Sequence, residues 1–177
     1  MSNVDSRYLD AFPSWLRSLG EDALSLAEVI ANDEVSEDLR RSAAGALSYL
    51  FKSLDLIPDG IEDLGFLDDA FVFRVAARLA REAGGESEVV SKLAADAELI
   101  SEFLADDYPR LERFVTGLGK SVARGRSVDE IIASASVRSA FLGDVRGWAA
   151  AYVFPSFERD AKNLVKLRAF LGTKLPA

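Results

Sequence analysis

Apolar residues recur every three or four positions along almost the whole chain, and this spacing constrains the fold more than any other feature of the sequence. Residues three or four positions apart lie on the same face of an α-helix, so each such stretch predicts a helix with one buried face. No stretch combines period-two alternation with the β-branched enrichment of a strand. The sequence therefore predicts an all-α fold of about seven to eight helices.

The size of the chain suits a single domain. Of its 177 residues, 49% are hydrophobic and 28% are charged, a composition that can bury one continuous core. The sequence has no internal repeat, low-complexity segment or long linker. We therefore expect one helical domain over residues 1–177, with a further division into a carboxyl-terminal helical lobe at 120–177 as an option.

Capping residues, prolines and glycines predict where the helices begin and end. We expect a first helix that Pro13 interrupts and Gly20 ends. Four more helices are expected at about 21–31, 36–52, 66–83 and 87–104. The helix at 66–83 should be central, because Arg74 is the only charged residue between positions 70 and 77.

The rear half is expected to hold shorter helices. Pro109 restarts the chain as a helix to about residue 115, the glycines after it mark a hinge, and Ser127 with Glu130 forms a capping box. The last two helices carry apolar stripes. The first stripe consists of Phe141, Val145, Trp148 and Tyr152, and the second helix opens at Pro155 and carries Phe157, Ala161, Leu164, Val165 and Leu171.

The chain contains no cysteine and no histidine. Disulfides, thiolate nucleophiles, the usual zinc sites and every histidine-dependent dyad or triad are therefore excluded. No catalytic residue can be assigned, and the composition favours a protein that is not an enzyme. No cofactor is expected unless a metal binds, and it would then be a hard cation such as Mg²⁺, Ca²⁺ or Mn²⁺, because only oxygen ligands remain.

Neither a secretory signal nor a membrane-spanning helix is expected. The first residues, MSNVDSRYLDAF, lack a basic start and an apolar run. The longest stretch without a formal charge, at 147–157, is far shorter than the roughly 20 apolar residues that a spanning helix needs. We therefore expect a cytoplasmic protein without a transmembrane segment.

Charge is spread unevenly along the chain. Residues 1–110 carry a net charge of −13 and residues 111–177 carry +5, within a total of −8. The two parts are expected to attract each other within the fold, although a basic rear helix could also contact an anionic membrane peripherally. Its basic residues are Arg159, Lys162, Lys166 and Arg168. A pI of about 4.7 disfavours nucleic acid as a partner.

The sequence TGLGKS at 116–121 is similar to the end of a phosphate-binding P-loop. A P-loop needs another glycine at position 114 and a strand in front of the loop. This chain has Phe114 there, and the preceding segment is predicted to be helical. We therefore predict no nucleotide site, and a flexible connection between helices explains these glycines.

The stretch LDLIPDGIEDLGFLDD at residues 54–69 contains six carboxylates. In a structural interpretation, an aspartate accepts backbone amides, a proline and an Asp–Gly pair turn the chain, and a later glycine frees the backbone. The last two aspartates then lie in the first turn of the next helix, where negative charge is favoured. These motif residues are Asp55, Pro58, Asp59, Gly65, Asp68 and Asp69. Glu62 and Asp63 have no backbone role in this interpretation.

The alternative is that the turn folds back and brings carboxylates together as a metal site. Its ligands would be Asp55, Asp59, Asp68 and Asp69. Such a cluster is unstable unless a cation, a shared proton or a nearby base neutralises it. The spacing is not that of an EF-hand. A divalent-cation site, with hydrolysis as an added activity, is thus an alternative to the structural turn.

The same stretch resembles the YkvA-like family of small bacterial domains of unknown function, also found within some membrane-bound RING-type ubiquitin ligases. The resemblance covers about residues 36–83. The matching residues are Tyr49, Leu50, Asp55, Leu56, Ile57, Pro58, Asp59, Gly65, Asp68 and Asp69. Ser53 departs from the family pattern, as do Glu62 and Asp63 in a link that is usually apolar. The resemblance implies a helical fold and, for some members, an association with membranes, but no reaction.

These observations lead to a prediction of function. The first expectation is a noncatalytic interaction or scaffold module with an unknown protein partner, in which the acidic turn is structural. The cation site in the acidic turn and peripheral membrane contact through the rear helices are the two alternatives.

Overall fold

The computed structural model of the chain describes residues 2–52, 55–61 and 63–177. Eight α-helices lie within these residues, together with two short 3₁₀ turns at Ala105–Asp107 and Leu118–Lys120. The helices are α1 (Asn3–Ala31), α2 (Glu37–Tyr49), α3 (Leu67–Glu82), α4 (Glu88–Leu104), α5 (Tyr108–Gly117), α6 (Val128–Ala133), α7 (Ala135–Ala151) and α8 (Ala161–Lys174). The predicted all-α fold is confirmed.

Helix α1 is one continuous helix, so the predicted break at Pro13 and end at Gly20 are wrong. Its buried face extends on both sides of these residues, and packing of this face outweighs the low helix propensity of proline and glycine. Gly20 lies where α7 approaches closely. A β-carbon at Gly20 would be 3.5 Å from the Tyr152 ring and 3.6 Å from the carbonyl oxygen of Ala149.

The glycine-containing stretch before α6 forms a small β-hairpin that the sequence did not predict. Strand β1 (Val122–Ala123) pairs antiparallel with β2 (Arg126–Ser127). Arg124 and Gly125 connect them, both with positive φ, at 50° and 74°. Two residues with positive φ give the two-residue turn whose twist matches that of paired strands. The Ser127 hydroxyl caps α6 by accepting the Glu130 amide at 3.1 Å.

The last helix begins later than predicted. Residues 152–160 are not helical, and α8 starts at Ala161, where the Asp160 carboxylate accepts the amide of Lys162 at 2.9 Å. This cap supplies the start signal that had been assigned to Pro155. The later start also changes which side of the helix is buried. Val165, predicted to face the core, is 65% exposed, whereas Leu164, Leu167 and Leu171 are buried.

Helix α3 lies at the centre of the molecule, as predicted. Every residue from Leu67 to Ala77 is buried, and the helix packs against α1, α2, α4 and α5. The predicted pairing of the helices on either side of the acidic turn is confirmed by the contact between α2 and α3. One hydrophobic cluster includes residues of all eight helices. The separate lobe at 120–177 stays a prediction, although Ile131, Phe141 and Leu167 belong to this cluster.

None of the helices in the described ranges combines the length and the apolar character that crossing a membrane requires.

Candidate functional site

Residues 55–61 and 63–66, within the connection between α2 and α3, are called the site loop. Two backbone bonds wind it tightly: the Ile61 amide donates to the Pro58 carbonyl at 3.0 Å, and the Gly65 amide donates to the Ile61 carbonyl at 2.9 Å. Phe66 has a φ of 68°, so the chain changes direction immediately before α3 begins. This winding turns Asp59 back towards the first turn of α3.

Three carboxylates meet where the site loop returns to α3. Asp59, Asp68 and Asp69 each offer one oxygen, and these oxygens all lie within 4.8 Å of one another. Asp68 and Asp69 are 0% and 2% exposed, whereas Asp59 is exposed. Asp55 is half-buried at the edge of this group. The structure thus brings together three of the four aspartates considered as metal ligands.

Tyr49, at the end of α2, ties Asp68 to the site loop. Its hydroxyl donates to Asp68 Oδ2 at 2.5 Å and accepts the amide of Leu56 at 2.7 Å. The same carboxylate oxygen accepts the amide of Ile57 at 3.2 Å. The other oxygen, Asp68 Oδ1, is buried and has no hydrogen-bond partner among the described residues. One oxygen of Asp68 is therefore occupied by the protein, and the other is unpartnered.

Burial raises the pKa values of all four carboxyl groups, and repulsion by neighbouring carboxylates adds to this for Asp55, Asp68 and Asp69. Burial, followed by the charges of Asp68 and Asp59, raises the pKa of Asp55 to about 7. Burial raises the pKa of Asp68 to about 6 against the lowering effect of its bonds to Tyr49 and Ile57. Burial and then the charge of Asp68 hold the pKa of Asp69 well above its usual range, and burial also raises the pKa of Asp59.

No described lysine or arginine forms an ion pair with Asp55, Asp59, Asp68 or Asp69. Unpaired buried carboxylates side by side are costly when ionised, because each has lost water and repels its neighbours. At neutral pH the cluster must therefore hold protons or receive positive charge from a bound cation.

These pKa values predict how stability depends on pH without metal. A carboxyl group with a raised pKa binds its proton more tightly in the folded chain than in the unfolded chain, so folding is favoured while the group is protonated. As the pH rises from the ordinary value of 3.8 towards about 7, the unfolded chain loses protons that the folded chain retains. In EDTA, we expect the cluster's contribution to stability to fall across this interval.

Thermal melts in EDTA between pH 4.5 and 8 measure this dependence. The Asp55→Asn variant lacks the group whose pKa is about 7, so its melting temperature should fall less steeply between pH 5.5 and 7.5 than that of the wild type. Equal slopes for the two proteins would contradict the assignment of this pH dependence to the cluster.

The structure gives different hydrogen bonds to several motif residues than the structural interpretation did. Asp55 was expected to accept a backbone amide, but Asp55 and Asp59 accept no hydrogen bond from the described residues, and the nearby Ile57 amide donates to Asp68. Asp63, which had no expected backbone role, accepts the amide of Glu158 at 2.9 Å. Glu62, Ser53 and Leu54 lie outside the described residues.

Sequence reasoning noted Tyr49 only as part of the family pattern and missed its contact with Asp68. The sequence feature that could have predicted this contact is a tyrosine on the alanine-rich face of a helix. Such a tyrosine is expected to be buried, and a buried tyrosine hydroxyl usually has a hydrogen-bond partner. The TGLGKS stretch, in contrast, forms the end of α5 and a 3₁₀ turn, and a helix rather than a strand precedes it. The described backbone there lacks the strand that a P-loop requires.

Fold and site together define an all-α protein with a carboxylate cluster between its second and third helices. Residues 40–74 match the model of a family described as "Protein of unknown function (DUF1232)". The match includes most of α2, the site loop and the first half of α3, and thus Tyr49 and the aspartates of the cluster. Comparison of the chain with curated proteins and with solved structures gives no match.

Proposed function

We propose that the chain is a cation-dependent helical module in which one divalent cation binds between Asp59, Asp68 and Asp69. The observation that carries the proposal is the convergence of these three carboxylates around the unpartnered buried oxygen of Asp68. A cation there would replace mutual repulsion with attraction and would supply the missing partner of Asp68 Oδ1.

The ligand chemistry selects the class of cation. All three ligands are carboxylate oxygens, which suit Mg²⁺, Ca²⁺ or Mn²⁺. Asp55, whose pKa responds to the charges of Asp68 and Asp59, would add a fourth negative charge beside the ion. The exposed Asp59 gives the ion contact with solvent, whereas the buried pair fixes its position.

We infer a binding role rather than a catalytic one for this cation. Asp68 also holds Tyr49 and the Ile57 amide, so the ion would fasten the site loop to both α2 and α3. It would then stabilise the pairing of the central helices, which suits the noncatalytic interaction or scaffold role predicted from the sequence. The partner of such a module is an unknown protein.

Added cation is expected to raise the melting temperature of EDTA-treated protein. At about 100 times its Kd, a ligand that binds only the folded chain stabilises it by about 2.7 kcal/mol. For a domain of this size, the corresponding increase is roughly 5–10 °C. Differential scanning fluorimetry with Mg²⁺, Ca²⁺ and Mn²⁺ in turn, each followed by excess EDTA, measures the increase and its reversal.

Asp69→Asn and Asp33→Asn form a matched pair for this experiment. Asp69→Asn removes one buried charge from the cluster, so it should abolish the cation-dependent increase without lowering the melting temperature in EDTA. Asp33 lies on the surface with an 88% exposed side chain, and its variant should keep the full increase. If none of the three cations changes the melting temperature of the wild type, the proposal is wrong.

Peripheral membrane contact through the rear helices has less support. Of the four basic residues named for it, Arg159 pairs with Asp10 at 3.0 Å, and Arg168 lies over the Phe103 ring at 4.2 Å from its centroid. These contacts direct two of the four charges to other helices of the same chain. Flotation with anionic liposomes at low salt tests the role of the remaining pair, Lys162 and Lys166. Recovery of the protein only in the unbound fraction would exclude membrane contact through these residues.

A further inference from the structure

The segment that connects α7 to α8, residues 152–160, is called the strap. It has no helix or strand, although its sequence was expected to be partly helical. Val153 and Phe154 near its start are 81% and 54% exposed. Phe157 packs partly against the core and Arg159 pairs with Asp10 of α1, so the strap is held near its two ends while Val153 and Phe154 stay uncovered.

The first attachment is Tyr152. Its ring stacks on Trp148 with centroids 5.0 Å apart and meets Phe66 of the site loop edge-on at 5.3 Å. Its hydroxyl donates to the carbonyl of Leu16 in α1 at 2.8 Å. The charges of Asp69 and Asp59, after burial, raise the pKa of Tyr152, which places the phenol within electrostatic reach of the cluster.

The second attachment is at Glu158. Its amide donates to Asp63 Oδ1 in the site loop at 2.9 Å, and its carbonyl accepts the side-chain amide of Asn163 in α8 at 2.8 Å. Asp63 and Phe66 both lie between Asp59 and Asp68 in the sequence. Among the described residues, the strap therefore contacts the site loop through Tyr152 and Glu158, within the segment that carries the cluster.

Access to the cluster requires movement. Asp59 is open to solvent, but Asp68 and Asp69 are almost completely buried, so a hydrated cation that reaches Asp59 must lose water and displace the site loop before it contacts both buried carboxylates. The contacts of Phe66 with Tyr152 and of Asp63 with Glu158 oppose displacement of this loop. Both contacts come from a segment more than 80 residues away in the sequence, and the Glu158 bond spans 95 positions.

We propose that the strap is a retaining element that holds the site loop closed over Asp68 and Asp69 through Tyr152 and Glu158, and so sets the rates at which a divalent cation enters and leaves. This inference rests on the proposed cation site and adds its kinetic control. Release of either attachment should accelerate exchange of the ion in both directions, because the ligands themselves are unchanged.

Two substitutions of Asp63 separate the attachment from other effects. Asp63 has a φ of 66°, which glycine and asparagine both tolerate. Asp63→Gly removes the acceptor of the Glu158 amide, whereas Asp63→Asn keeps a side-chain oxygen that can accept it. Tyr152→Phe removes only the hydroxyl bond to Leu16 and leaves the ring in place.

Stopped-flow release of Ca²⁺ or Mn²⁺ into a fluorescent chelator measures the rate. Loss of a hydrogen bond to a charged group corresponds to about a tenfold faster release in Asp63→Gly. Tyr152→Phe should also be faster, Asp63→Asn should stay within about twofold of the wild type, and Kd should change less than the release rate. If the wild type binds the ion and Asp63→Gly releases it at the same rate, the proposed role of the strap is wrong, whereas the cation site is supported.

Hydrogen exchange of the Glu158 amide tests the attachment without metal. The amide should exchange faster in Asp63→Gly than in Asp63→Asn or the wild type, because its acceptor is gone. Equal protection in all three proteins would overturn the attachment. If the three proteins differ in exchange as expected but the wild type binds no cation, the cation site is refuted, and with it the kinetic role of the strap.

Discussion

Replacement of Arg74 by alanine is expected to lower the free energy of unfolding by about 3 kcal/mol, the lower end of the cost of breaking a buried ion pair, because Asp22, whose side chain is only 13% exposed, loses its counter-charge. Arg74 lies in α3 and is 2% exposed. Its guanidinium donates to Asp22 of α1 at 3.2 Å and to Asp96 of α4 at 3.1 Å, and it lies 4.4 Å from the centroid of the Trp15 ring. One side chain therefore joins three helices.

Arg78 provides the control, one turn further along the same helix. Its side chain is 28% exposed and pairs with Glu82 and Glu98, both largely in solvent. Arg78→Ala should cost no more than about 1 kcal/mol, since exposed ion pairs contribute little. Urea denaturation of both variants measures the difference. Equal losses would show that burial does not govern the Arg74 network, and the double variant Arg74→Ala/Asp22→Ala should be less than additive.

Gly65→Ala is expected to lower the free energy of unfolding by about 3 kcal/mol, at the upper end of the cost of overpacking. A β-carbon at Gly65 would lie 2.2 Å from the carbonyl oxygen of Asp59. The β-carbon of residue 65 and the carbonyl oxygen of Asp59 are both fixed by the backbone and cannot rotate apart, so the site loop itself must move. Because that movement displaces Asp59 from Asp68 and Asp69, the variant should also lose its cation-dependent increase in melting temperature.

Gly60→Ala is the matched control in the same loop. A β-carbon at Gly60 would meet no atom within 4 Å, so this variant should stay within about 0.5 kcal/mol of the wild type. Chemical denaturation, with and without the cation that stabilises the wild type, measures both effects. A Gly65→Ala variant as stable as Gly60→Ala, with its cation response intact, would show that the site loop accommodates the extra carbon.

The helices could be predicted from the sequence because their signals are local. The alternation of apolar and polar residues in 87–104 fixes which face is buried, and the near absence of charge in 70–77 indicates a helix buried on all sides. The predicted break at Pro13 was wrong because the helix propensity of proline is a local property, whereas the packing that offsets its cost comes from helices distant in the sequence. The predicted start of α8 was wrong for a related reason. Pro155 and Asp160 both resemble helix start signals, and only the surrounding fold selects between them.

The site was harder to predict than the fold. The composition of the acidic stretch identified the candidate aspartates, but which of them meet depends on the left-handed backbone at Phe66, where a bulky residue gives no sequence signal. Asp63 shows the same limit. Its acceptor role depends on Glu158, which is 95 positions away and belongs to a segment that the sequence indicated as helix.

The long first helix has a consequence for the order in which the chain folds. Asp10 pairs with Arg159 and the Leu16 carbonyl is reached by Tyr152, over separations of 149 and 136 positions. A ribosome makes about 5–20 residues per second, so α1 exists for several seconds before these partners are synthesised. During that time, the sequence-local contacts of α2, α3 and α4 can form, but the side of α1 that meets α7 and α8 stays uncovered.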